Sequence, residues 1–290
     1  MYVYFVRLVS GRMPNMGSPV VAKIQLGRLM RRLRTESDLT REDAARTIDC
    51  DISKISRVEA GKGSLRTPEV DLLIALYQRD DLREQAVAMA RDARRRTSYR
   101  VPDWARDFVG MEADSKEIRT YEAELVPGLL QTPAYTRAVT MAANPQRDAD
   151  EVDRLVGARA ERQARLTGDN PPHLFAVVNE AVVRRVVGGR KTMQDQLGRL
   201  LDLAELPTVS LHVLPFTAGA HAGMGTSFVL LALEEPAGVR FVYLEDIASA
   251  DYLDEEMHVR GYSLVFDRLL GAALGNVETI DLIEQARQDM

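Results

Sequence analysis

The sequence predicts two domains of different class: an all-α front of five helices, then an α+β body with a mixed or antiparallel sheet. Three observations lead there. The chain has 290 residues, more than one small core needs and about right for two. From Ile24 to Tyr77 apolar residues recur at helical spacing in short, separately capped runs, whereas beyond Thr97 strand-like runs alternate with helices. The charge also changes sign: residues 1–100 hold 20 Lys and Arg against 13 Asp and Glu, and the other 190 hold 18 against 30. The net charge of −5 therefore hides a front of +7 and a body of −12.

The first fifteen residues fit neither domain. Met1–Val9 is apolar but short, no small-residue cleavage pattern follows, and Met13 and Met16 lie just upstream of the patterned chain. Residues 1–17 read as a tail or a misassigned start. The front domain is placed at 18–96. Its first helix carries Leu26, Met30 and Leu33 on one face, with Arg28, Arg31, Arg32 and Arg34 between them. Thr40 is placed to cap a second helix, with Asp43 three residues on. Ile48–Asp51 breaks that helix, Asp51 caps a third over Ile52–Ala60, and Gly61 ends it. Thr67-Pro68-Glu69 reads as a cap, a first-turn proline and a first-turn acid, opening a fourth helix through Tyr77. A fifth runs from about Leu82 to Arg96, and its cluster Arg91–Arg96 suits a helix C-terminus.

Residues 97–111, with Tyr99, Pro102 and the sole tryptophan, Trp104, read as a linker or docking segment. The body is placed at 112–290. Strands are expected at Ile118–Leu125, Leu174–Val178, Val209–Leu214, Phe228–Leu233 and Val239–Leu244, the last two joined by a hairpin-like loop. Helices are expected after Thr132-Pro133, over Asp148–Thr167, from Glu180, and over Thr192–Glu205, Tyr252–Leu270 and Val277–Gln288.

Composition narrows the function. No apolar run approaches the ~20 residues of a membrane helix. The single cysteine, Cys50, leaves no intrachain disulfide and fits a reducing cytoplasm. Only five of 38 basic residues are lysine, as in coding from a GC-rich bacterial genome. None of His173, His212, His221 and His258 has a metal ligand at helical spacing, so no metal is expected. Gly219–Ser227 is glycine-rich, but it lacks a phosphate-loop lysine and precedes a strand, so it reads as a flexible loop or a lid. Ser227, Asp246 and a histidine make a triad only on paper, without a Gly-x-Ser-x-Gly elbow. No catalytic residue and no cofactor are assigned.

The second and third helices are short and joined by a tight turn, the arrangement that sets a helix into the DNA major groove. Ala45 is small where two helices cross, and Ile55 and Val58 point back to a core. The opposite face carries Ile52, Ser53, Lys54, Ser56 and Arg57, which can reach base edges and phosphates. The run Leu39-Thr-Arg-Glu-Asp-Ala-Ala-Arg-Thr-Ile-Asp-Cys-Asp-Ile-Ser-Lys-Ile-Ser-Arg-Val-Glu-Ala-Gly-Lys62 resembles the XRE (lambda-repressor-like) helix-turn-helix family, and the likeness extends over Leu26–Tyr77. The resemblance implies base reading by Ile52, Ser53, Lys54 and Arg57, phosphate contacts from Arg41 and Lys62, and a structural pair of Arg34 with Glu59. Asp49 departs from the pattern, standing where the family usually turns on glycine, and Ala44 is smaller than usual.

A second resemblance lies in the body. Arg119-Thr-Tyr-Glu-Ala-Glu-Leu-Val-Pro-Gly-Leu-Leu-Gln-Thr-Pro-Ala-Tyr135, Val209–Phe216, Gly225–Phe228 and Val242–Glu245 resemble the C-terminal domain of actinobacterial, antitoxin-like XRE regulators. The expectation is a dimeric, operator-binding transcriptional regulator controlled through its C-terminal sensor or partner domain. The alternative is an antitoxin-like protein that binds a small partner from a neighbouring gene and autoregulates its operon. No membrane partner is expected.

Overall fold

A computed structural model describes residues 19–94, 103–233, 239–246 and 250–290, with side chains in the second stretch from residue 108. The readings of residues 1–17, of the Trp104 side chain, of Arg95 and Arg96, and of the loop 234–238 lie outside the described residues. The chain divides into two compact units, Met1–Thr97 and Ser98–Met290. The fold is an N-terminal helical region followed by an α+β domain with a mixed sheet.

The front unit holds helices α1 (Pro19–Glu36), α2 (Arg41–Thr47), α3 (Ile52–Glu59), α4 (Thr67–Leu76) and α5 (Arg83–Asp92), with a 3₁₀ turn at Asp80–Leu82. Leu26, Met30 and Leu33 of α1 are buried with Ala45, Ile55, Val58, Leu73 and Ile74, one apolar face from each of the first four helices. The close crossing of α1 and α3 rests on Gly27: a Cβ there would stand 2.2 Å from the Val58 carbonyl oxygen. Gly61 ends α3 at φ +69°, a conformation that glycine adopts at least cost.

Some boundaries of the front helices differ from the sequence reading. The N-cap of α4 is Arg66 rather than Thr67, because the Glu69 carboxylate accepts the Arg66 N–H at 2.8 Å and closes the cap one residue earlier. The fifth helix begins at Arg83, since Asp80–Leu82 takes the tighter 3₁₀ form, and it ends at Asp92, short of the expected Arg96, with Ala93 and Arg94 in a turn.

The body is built on a six-stranded sheet in the order β3-β2-β1-β4-β5-β6. Its strands are β1 (Ser115–Glu122), β2 (His173–Asn179), β3 (Val209–Leu214), β4 (Phe228–Leu233), β5 (Arg240–Glu245) and β6 (Ala250–Leu253). β1, β2 and β3 are parallel, while β4 to β6 add antiparallel neighbours beside β1. Parallel neighbours need long crossovers. Helices α7 (Pro133–Ala143) and α8 (Ala149–Gln163) supply the first, and α9 (Glu180–Arg184) and α10 (Arg190–Ala204) the second. Thr132 caps α7 by accepting the Tyr135 N–H at 3.2 Å. Helix α11 (Glu256–Ala272) buries Phe266 and Leu269 against Tyr121, Val177, Phe228, Leu230 and Val242 on one face of the sheet. Helix α12 (Asn276–Gln288) packs on α10 and β3.

Two elements were not read from the sequence. Residues 97–111, taken as linker or docking segment, include the start of helix α6 (Asp103–Asp114), which runs into β1 and contacts β1 and β4. The final long helix starts at Glu256, not Tyr252, because Ala250–Leu253 pairs with β5 as an edge strand and sets Tyr252 opposite Tyr243. Four residues are too few for a strand period to show against the helix that follows.

Candidate nucleic-acid interface

Local capping builds the two-helix unit of the front. Thr40 and Asp43 form a reciprocal capping box: the Asp43 N–H donates to Thr40 Oγ1 at 3.1 Å and the Thr40 N–H to Asp43 Oδ2 at 2.9 Å. Asp51 caps α3 by accepting the Ser53 N–H at 2.8 Å. Between the helices Asp49 takes φ +49°, and the Cys50 N–H closes back on the Ala45 carbonyl at 3.0 Å. A non-glycine residue there costs on the order of 1 kcal/mol, less for Asp than for a bulkier side chain. Cys50 is a free thiol packed at the edge of the core, and burial raises its pKa.

Helix α3 turns Ile55 and Val58 inward and presents Ile52, Ser53 and Arg57 to solvent, with Ile52 43% exposed. The Arg57 Nε donates to the Ser53 carbonyl at 3.3 Å, which lays the side chain along the helix face. Lys62 is exposed just beyond the helix. Ser53, Arg57 and Lys62 are thus exposed polar and cationic side chains beside an exposed apolar Ile52.

Two residues expected at DNA make protein contacts. Lys54 Nζ donates to Glu69 Oε1 at 2.8 Å, tying α3 to α4. Arg41 Nε donates to Glu59 Oε2 at 2.8 Å while its side chain stays 42% exposed. Arg34 holds the same carboxylate through Nε at 2.6 Å and Nη2 at 3.1 Å, and donates through Nη1 to the Leu39 carbonyl at 2.7 Å. Glu59 thereby joins α1, α2 and α3 at one point. Its burial opposes ionisation, but the two guanidiniums outweigh burial and hold the carboxyl below its ordinary value. Glu69 behaves alike: burial raises it, and the Lys54 ammonium with the Arg66 N–H and guanidinium bring it down to about 2.

Sequence reading passed over Arg66. It is exposed beside Lys54, both anchored on Glu69, and adds a cation next to α3. The spacing of Arg66 and Glu69 as N-cap and N3 was the available sign.

The body's candidate residues fall elsewhere. His212 is held between Ser210 Oγ and the Leu274 carbonyl, both at 2.9 Å, a structural tie between β3 and the connection from α11 to α12. Gly223, in the glycine-rich loop, lies so close to Tyr121 that a Cβ would stand 2.7 Å from its ring. Among the described residues no three His, Cys, Asp or Glu side chains gather as a metal site, and no helix is long and apolar enough to cross a membrane.

Comparison with known families agrees with this geometry. Residues 25–87 match a helix-turn-helix domain profile, which supports a DNA-binding regulator of XRE-like type. No curated protein and no solved structure matches the chain. Residues 105–285, more than half of the chain, match the family described as a domain of unknown function, DUF5753, and the protein belongs to that family.

Proposed function

We propose that the protein is a transcriptional regulator that binds a double-stranded DNA operator as a homodimer, with its body serving as the regulatory domain. The observation that carries this reading is the exposed Ile52, Ser53 and Arg57 on a capped, core-anchored α3, with Lys62 exposed just beyond it. In this proposal Ile52, Ser53 and Arg57 read base edges and Lys62 meets phosphate. Arg41 and Lys54 reach phosphate or bases from their ion pairs, since both keep solvent contact. The Arg34–Glu59 pair fixes the helices that present them. A dimer follows because one recognition helix covers a single half-site, and two must lie about one DNA turn apart for tight binding.

The DNA-binding function is placed in residues 18–96, and the body, after the segment 97–111, in 112–290. The acidic chain beyond residue 100 supports the separation of roles, as its charge of −12 is repelled by phosphate. The same charge favours a second reading, in which the body binds a small basic partner protein from a neighbouring gene and DNA binding serves autoregulation.

Fluorescence anisotropy with DNA from upstream of the chain's own gene tests the main reading. Binding is expected to fall steeply with salt through counterion release. Arg57→Ala with Lys54→Ala is expected to weaken it by roughly two orders of magnitude or more, at ~1–3 kcal/mol per base contact. Unchanged affinity of the double variant would overturn the site, and a monomer by light scattering with and without DNA would overturn the dimer.

A further inference from the structure

Helix α3 opens on a carboxylate, an awkward charge for a surface that faces phosphate. Asp51 is its N-cap, with φ −72° and ψ 144°. One oxygen, Oδ1, accepts the Ser53 N–H at 2.8 Å, which fixes the side chain at the head of the helix. Among the described residues the other oxygen, Oδ2, makes no hydrogen bond or ion pair, and the residue is exposed. Hydrogen bonds from Ser53 also hold the carboxyl below its ordinary value, so it stays ionised.

Capping alone does not call for that charge. Asparagine, serine and aspartate cap a helix about equally well. The helix dipole favours an anion at this end, but only modestly for an exposed group. A neutral cap would avoid the repulsion that a carboxylate meets from DNA phosphates. Ile52 poses the same question. It is the first residue of α3 and is 43% exposed, while Ile55 and Val58 do the packing. A β-branched side chain is not a preferred helix former either.

Both choices fit one task. In the major groove cytosine displays its N4 amino donor and thymine its C5-methyl group. A carboxylate accepts from the cytosine amino group, whereas guanine and thymine meet it with acceptors. Adenine sets its amino group beside N7, an acceptor that opposes a carboxylate. An aliphatic side chain suits the thymine methyl. Consecutive Cα atoms lie ~3.8 Å apart, close to the ~3.4 Å rise between base pairs, so adjacent residues reach adjacent pairs.

We propose that Asp51 and Ile52 select a cytosine beside a thymine in each half-site. Asp51 Oδ2 accepts the cytosine N4 amino group, and Ile52 lies on the C5-methyl of the neighbouring thymine. The charge on Asp51 then serves selectivity, since the wrong base meets it with a repelling edge. The proposal rests on reading α3 as the recognition helix and adds the bases that helix selects.

The full chain, Asp51→Asn and Ile52→Ala are each put through selection from a random pool of duplex DNA. Affinities for the parent's best duplex are then measured by fluorescence anisotropy. Circular dichroism establishes that each variant is folded; asparagine keeps the cap, and Ile52 lies outside the core. The parent half-site is expected to hold a cytosine next to a thymine. Asp51→Asn should lose the cytosine and favour adenine there, because an Asn amide pairs with adenine N6 and N7. Ile52→Ala should keep the cytosine and relax the thymine. Changing the cytosine to thymine in the parent's duplex should weaken the full chain about tenfold or more, and Asp51→Asn by less. Replacing the neighbouring thymine by uracil removes only the methyl. It should weaken the full chain about fourfold and leave Ile52→Ala unchanged. This arm decides with the parent protein alone if a variant does not fold. A parent half-site without such a pair of bases, folded variants that select the parent's motif, or a uracil duplex bound as tightly as the original would overturn the proposal and leave α3 as the reading helix. A parent that enriches no motif would overturn both.

Discussion

Replacing Glu59 with alanine probes how the front unit holds its recognition helix. The Glu59 side chain is 2% exposed and Arg34 is 13% exposed, whereas Arg41 is 42% exposed. Removing the carboxylate leaves Arg34 a nearly buried cation whose remaining partner is the Leu39 carbonyl. Breaking a buried pair from one side costs about 3–5 kcal/mol. Arg41 can turn to water, so its share is under about 1 kcal/mol. Rescue by the Leu39 carbonyl sets the expectation at the lower end, about 3 kcal/mol, a large part of the ~5–15 kcal/mol that holds a domain folded. Native-state hydrogen exchange of the full chain, read on peptides from α1, α2 and α3, measures this loss locally. Peptides from the body serve as the internal reference and should not change. Arg41→Ala should cost no more than about 1 kcal/mol in the same peptides. A loss below about 1 kcal/mol for Glu59→Ala, or a loss equal to that of Arg41→Ala, would refute the three-helix clamp.

Other predictions follow from the same geometry. Gly27→Ala should destabilise the front unit by at least ~1–3 kcal/mol, because the new methyl meets rigid α3 backbone; thermal melting near that of the parent would contradict the close crossing. Acid should loosen the front unit. The folded Glu69 carboxyl lies at about 2 against an ordinary 4.5, and that of Glu59 is also lowered, so their stabilisation is whole above 4.5 and is lost as pH falls toward 2. Urea titrations across that window should show stability falling, with a smaller fall in Glu69→Gln, and an equal slope in both proteins would count against the Lys54 and Arg66 tie. Lys62→Ala should leave stability unchanged while lowering the salt slope of DNA binding by about one; an unchanged slope would remove Lys62 from the interface.

The front unit was legible in the sequence because its determinants are local. Thr40, Asp43, Asp51 and Gly61 act within a turn of themselves, and Ile55 and Val58 repeat at helical spacing. The strained turn was legible too, since Asp49 stands where a left-handed residue is needed. What Lys54 and Arg41 touch was not legible, because their partners Glu69 and Glu59 are set by how helices cross. In the body, Phe228–Leu233 announced itself as an apolar run buried in the middle of the sheet, and Val209–Leu214 as a run whose Val209, Leu211, Val213 and Leu214 are buried although the strand lies at one edge. β6 did not, being a short edge strand. Helix α6 was hidden by the tryptophan and proline that suggested a linker.

The most direct test of the central claim is selection from a random pool of duplex DNA by the full chain and by Arg57→Ala, each followed by sequencing. The account predicts that the parent protein enriches two copies of one short half-site, related by two-fold symmetry and centred about one DNA turn apart. It also predicts that Arg57→Ala relaxes one position within each half-site. Sequences no richer in any motif than the starting pool, or identical motifs from both proteins, would contradict it.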